Sequence, residues 1–136
     1  MKDEKDFDVD KTDTEWQETL TPEAFQVLRC HGTEMRGTSP LNKEKRDGTY
    51  YCAGCGASLF EAGAKFESGT GWPSFDRPMP DAVGTRTDQS HFMSRTEVHC
   101  RKCGGHLGHV FDDGPTETGQ RYCMNGVSLK FEPKKD

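Results

Sequence analysis

The chain has 136 residues, of which 31% are apolar and 30% charged, with six cysteines and fifteen glycines. One domain is the natural unit at this length, and so polar a chain builds a thin core that needs a metal or a disulfide as a staple. The net charge of −5, with acidic residues crowding the N-terminal end, argues against the basic footprint of a nucleic-acid binder, and no apolar run approaches a membrane span.

Residues 1–13 are polar and read as a mobile tail, which leaves 14–136 as a single folded domain. The N-terminus has no apolar stretch of the secretory type, so a cytoplasmic location and reduced cysteines are expected. Thr21-Pro22-Glu23 is a helix start, with Thr21 as cap, Pro22 in the first position and Glu23 near the positive end. Ala24, Phe25 and Leu28 give that helix its apolar face, with Val27 at the margin, and Gly32 suits its stop. Cys30 and His31 then fall in its last turn. A loop rich in Gly, Ser, Pro and Asn runs from Gly32 to Gly48. Tyr50 to Ala53, Ser58 to Phe60, His91 to His99 and Val127 to Phe131 read as strands. There is no βαβ alternation. The expected fold is mainly β and antiparallel, with one or two short N-terminal helices.

Cys52-Ala53-Gly54-Cys55 and Cys100-Arg101-Lys102-Cys103 are two Cys-x-x-Cys pairs. Two-residue spacing lets both thiolates of a pair face one ion, and tetrahedral Zn²⁺ takes four such ligands. Glycine follows each pair, at Gly56 and at Gly104. A redox dithiol of thioredoxin type would sit in a βαβ setting, which is missing here. Four thiolates leave no open coordination position, so the zinc is expected to be structural. No organic cofactor is expected.

Two cysteines remain, Cys30 and Cys123. If 121–131 is one strand, Cys123, Asn125, Val127, Leu129 and Phe131 share a face. That strand would run from a site mouth into the core. A buried, inert Cys beside an Asn that satisfies the backbone is the plainer reading. Two histidines, His106 and His109, follow the second Cys pair closely. With four thiolates present no ligand is missing, and imidazole is the usual acid or base near neutral pH. Trp72, between Gly71 and Pro73, is either a core residue in a turn or the wall of an apolar pocket offering an indole donor.

Five segments together resemble methionine-R-sulfoxide reductase, the B type of methionine sulfoxide reductase. They are Cys52-x-x-Cys55, Gly69-Thr70-Gly71-Trp72-Pro73-Ser74-Phe75, Cys100-x-x-Cys103, His106-Leu107-Gly108-His109-Val110-Phe111 and Arg121-Tyr122-Cys123-Met124-Asn125. The likeness runs from about Thr21 to Pro133. It implies a small, zinc-stabilised domain of two antiparallel sheets. It also implies thiol-dependent reduction of methionine-R-sulfoxide, in oxidised proteins or peptides or as the free amino acid. By position, Cys123 resembles the nucleophile, which becomes a sulfenic acid. His109, His106 and Asn125 resemble the groups that bind and protonate the oxygen, and Trp72 the wall that receives the substrate methyl. Many members carry a resolving cysteine where this chain has Thr70. Cys30 is then the candidate resolver, forming a disulfide that thioredoxin or a similar dithiol reduces; the alternative is direct attack by an external thiol on Cys123. Gly32-Thr33-Glu34-Met35-Arg36-Gly37-Thr38 also departs from the commoner Gly-Thr-Glu-Pro-Pro-Phe-Thr. A monomer is expected, with no nucleic-acid or membrane partner. The competing readings are a zinc-ribbon-like binding module and a zinc-stabilised lyase or other small-molecule enzyme.

Overall fold

Two short helices precede nine strands in the computed structural model, which describes residues 9, 11–89 and 94–134. Helix α1, Asp13–Thr19, begins on a reciprocal cap: Thr12 Oγ1 accepts the Glu15 N–H, and the Glu15 carboxylate accepts the Thr12 N–H. Its Trp16 is fully buried. The expected tail therefore gives way to structure at Thr12, and Val9 donates its N–H to Lys102 O at 2.9 Å. Residues 1–8 and 10 of that expected tail lie outside the described residues.

Helix α2, Pro22–Cys30, starts as its sequence dictates, with Thr21 accepting the Ala24 N–H. Ala24, Val27 and Leu28 are its buried residues, whereas Phe25 is only half-buried. Val27 thus belongs to the packed face and Phe25 to the margin, the reverse of the expectation. The stop differs too. His31, not Gly32, takes the left-handed conformation at the helix end, with φ of 60°.

The strands form two antiparallel sheets, the mainly β architecture expected from the sequence. The smaller sheet has the order β2-β1-β9, with β1 at Gly48–Cys52, β2 at Ser58–Glu61 and β9 at Leu129–Pro133. The larger has the order β3-β4-β8-β7-β6-β5. Its strands are β3 Lys65–Phe66, β4 Ser74–Phe75, β5 Val83–Asp88, β6 Arg95–Cys100, β7 His106–Phe111 and β8 Arg121–Met124. The strand expected over His91 to His99 is observed as β6; residues 91–93 lie outside the described residues. Aromatic side chains join the sheets. Phe60 stacks on Phe75 with ring centroids 4.3 Å apart, and Tyr50 meets Phe75 edge-on at 5.0 Å. Each such pair adds about 0.5–1.5 kcal/mol beyond the area it buries.

The segment 121–131 is not one strand. It is β8 in the large sheet, a 3₁₀ turn at Gly126–Ser128, and β9 in the small sheet. The Gly126 and Val127 N–H groups donate to the Glu34 carboxylate at 2.8 and 3.1 Å, so they are taken from any ladder. A Cβ on Gly126 would lie 1.9 Å from Ser39 Oγ, so the turn needs glycine. Val127 consequently leaves the expected apolar face and is only half-buried.

Candidate active site and cysteine cluster

The four Cys-x-x-Cys sulfurs lie within 4.8 Å of one another. Cys52 Sγ is 3.8 Å from Cys103 Sγ, and Cys55 Sγ is 3.6 Å from Cys100 Sγ. A disulfide would hold two sulfurs about 2 Å apart. A tetrahedron of Zn–S bonds near 2.3 Å places its corners roughly 3.8 Å apart. The donor set therefore fits zinc and not a pair of disulfides. Gly56 and Gly104 close the two turns with φ of 82° and 77°, a conformation that glycine adopts freely. Gly54 and Gly105 point their N–H groups at Cys52 and Cys103 Sγ, both at 3.4 Å. The helices cover this end of the molecule: Arg29 Nη1 donates to Cys103 O at 3.0 Å and stacks on the Trp16 ring at 4.8 Å.

Cys123 has different surroundings. It sits on β8 between β4 and β7, with Ser74 opposite on one side and His109 opposite on the other. Directly opposed residues of an antiparallel pair bring their side chains together on one face. Cys123 and His109 accordingly line one cavity of about 330 Å³, along with Thr70, Trp72, Arg121 and Asn125. A wider groove of about 480 Å³ also has Trp72 in its lining, and no Cys or His among the described residues lines it.

Burial raises the pKa of the Cys123 thiol, and Thr70, Arg121 and Ser74 oppose that rise. Thr70 Oγ1 lies 3.8 Å from the sulfur and 2.8 Å from Ser68 Oγ, which in turn accepts from Ser74 Oγ at 2.8 Å. Burial also lowers the pKa of His109, while its hydrogen bond to Asp88 raises it. That bond joins His109 Nε2 to Asp88 Oδ2 at 2.7 Å, and Arg95 Nη2 reaches the same oxygen at 3.4 Å. The cavity thus brings together a thiol, an imidazole held by a carboxylate, and an aromatic wall.

The family model described as the SelR domain matches residues 20–133. A protein of Leptospira interrogans named peptide methionine sulfoxide reductase MsrB is 55% identical over 127 residues, covering 93% of this chain and 97% of that protein. Proteins of the same name from Methanosarcina barkeri and Agrobacterium fabrum are each 52% identical, covering 94% and 92% of this chain and 91% and 93% of their own. The chain belongs to the SelR (MsrB) family.

Within this SelR chain, His106 and Trp72 sit otherwise than expected, while Cys30 is at the helix end where the sequence put it. His106 does not line the cavity. It is buried behind His109, ring centroids 5.4 Å apart, and its Nδ1 pairs with Glu97 Oε2 at 2.7 Å. Trp72 does form the wall, but its indole N–H is already given to Glu34 O at 3.1 Å, so it is no donor to a ligand. Cys30 is exposed at the end of α2 and is not among the lining residues, whereas Thr33, three residues on, is. Asn125 is buried at the cavity, its Oδ1 accepting the Glu34 N–H at 2.9 Å and its Nδ2 donating to Leu107 O at 3.1 Å.

Sequence reasoning missed the supporting cast of Glu34, Thr70, Asp88, Arg95, Glu97 and Arg121. Glu34 and Thr70 have partners more than fifty residues away, and only Thr70 and Arg121 lay inside a conspicuous motif. Among the described residues, no helix is long and apolar enough to cross a membrane.

Proposed function

We propose that this chain reduces methionine-R-sulfoxide to methionine, with Cys123 as nucleophile and His109 as acid. The observation that carries the reading is the juxtaposition of Cys123 and His109 across β7 and β8, in a cavity walled by Trp72. The names of the SelR relatives point the same way.

The Cys123 thiolate attacks the sulfoxide sulfur. His109 gives a proton to the oxygen, which must carry positive partners before it can transfer. Asp88 holds Nε2 of that ring and leaves Nδ1 for the substrate. The oxygen ends on Cys123 as a sulfenic acid, and methionine leaves as the thioether. Cys30 then condenses with the sulfenic acid, forming a disulfide and releasing water. Thioredoxin or a similar dithiol returns both sulfurs to thiols. Cys30 lies outside the cavity, so the turn between α2 and Thr33 moves for this step. Asn125 keeps one amide hydrogen beyond its bond to Leu107, enough to help hold the oxygen. His106 acts through His109 as a positioning residue rather than on the oxygen itself.

The four-cysteine cluster holds one structural Zn²⁺ in this reading. It anchors the segment that leads into β7, and it takes no part in the reaction. Residues 14–136 work as one domain and as a monomer in the cytoplasm, where the six cysteines, free in the structure, rest without a disulfide between turnovers. Separate assays with R- and S-methionine sulfoxide, in peptides and as free amino acid, test the proposal. Methionine is expected from the R form only. Equal consumption of both forms, or of neither, would overturn it.

A further inference from the structure

A second group of ligand-type side chains lies beside the cavity and is not used as a metal site by the proposed reaction. One ligand atom from each of His31, Glu97 and His106 lies within 4.8 Å of the other two. Glu97 Oε2 is 2.7 Å from His106 Nδ1 and 3.3 Å from His31 Nε2. The three come from the C-cap of α2, from β6 and from β7, so folding alone brings them together. Ligands bonded to one ion at about 2.0–2.2 Å sit roughly 3.0–3.4 Å apart at octahedral or tetrahedral angles. The 3.3 Å separation falls in that range and the 2.7 Å one a few tenths below it, so small side-chain shifts would seat an ion.

The carboxylate is prepared for the task. Arg86 Nε holds Oε1 at 2.7 Å, which turns Oε2 toward both imidazoles. An outer partner of this kind fixes a ligand's orientation. Burial pushes the Glu97 pKa up, yet its bonds from His106, His31 and Arg86 outweigh burial and hold it well below the usual carboxylate range. Glu97 and His106 are buried while His31 is exposed, so one side of the group opens to water. Two imidazoles and a carboxylate favour zinc, nickel, cobalt or copper over the harder magnesium and calcium.

We propose that His31, Glu97 and His106 form a second divalent-cation site, separate from the four-cysteine cluster, that takes an ion of the zinc class and completes its shell with water. Once filled, the site ties the turn after Cys30 to β6 and β7, and His31 must leave the ion before that turn moves for disulfide formation. The assignment stands apart from the sulfoxide reading, because binding is measured without turnover.

The test titrates Co²⁺ into full-length reduced protein whose cysteine-bound metal has been counted beforehand, using dialysis with metal analysis and visible absorption. One further equivalent is expected, with ligand-field bands but without sulfur-to-cobalt charge transfer. His31→Ala, an exposed change, should weaken that equivalent roughly tenfold or more while the cysteine-bound metal is retained. Glu97→Gln should weaken it as well. Three results would overturn the site: saturation with no further equivalent, equal affinity in wild type and His31→Ala, or a second ion whose spectrum reports sulfur ligands.

Discussion

Two sulfur centres in one small chain have opposite surroundings. The four-cysteine cluster is packed under two helices, its sulfurs 3.6 and 3.8 Å apart in two of the pairs, with backbone N–H groups aimed at it. Cys123 has no sulfur partner among the described residues and faces a cavity with a hydroxyl, a guanidinium and an imidazole around it. In the proposed scheme the same atom holds the fold in one place and reacts in the other. The difference lies in the neighbours: four sulfurs face one another at the cluster, while a cavity opens beside Cys123.

The sharpest way to break this contrast is to exchange one sulfur at each centre. Cys123→Ser should lower turnover by roughly 10⁴-fold or to background, since a nucleophile of this kind has no substitute. Its melting temperature should stay within about 4 °C, the change expected for less than 1 kcal/mol. Cys52→Ser should do the reverse. It should release the metal and forfeit the linked stability, about 4 kcal/mol where free metal stands a thousandfold above Kd. Urea unfolding with metal analysis reads this directly, and an equally stable, metal-free protein would dissolve the distinction between the centres.

Two smaller effects sharpen the reactive side. Cys30→Ser should leave one round of sulfoxide reduction intact and block recycling by thioredoxin. Unchanged thioredoxin-dependent turnover would remove Cys30 from the scheme. Asp88→Asn should act through His109. The Asp88 bond raises the His109 pKa against the lowering by burial, so its loss drops that pKa further. A ring that must be protonated then empties at lower pH. The falling limb of the rate profile should move toward acid, and turnover at neutral pH should fall by up to about tenfold if the bond is worth about 1.4 kcal/mol to the protonated ring. Wild type and variant should converge at low pH, where both rings carry the proton.

Much of this arrangement was legible in the sequence, for physical reasons that differ by region. The two Cys-x-x-Cys pairs announce themselves because ligand spacing is local, and so does the α2 start at Thr21-Pro22. The split of 121–131 was not legible. It depends on Glu34, about ninety residues away, taking the Gly126 and Val127 N–H groups. His106 looked like a twin of His109 by spacing, yet the irregularity in the β6–β7 register between Val98 and His99, together with the Glu97 carboxylate, sets it behind its neighbour. The His31 cap was hidden by a convention that gives the left-handed position to glycine, which here is one residue later.

The most direct test follows the sulfur itself. Reduced protein is given one equivalent of methionine-R-sulfoxide with a sulfenic-acid trap, and the labelled peptide is identified by mass spectrometry in a Cys30→Ser background. The expected result is one methionine per chain and a label on Cys123 alone. Methionine formed with the label on another cysteine, or with Cys123 untouched, would contradict the assignment of Cys123 as the nucleophile.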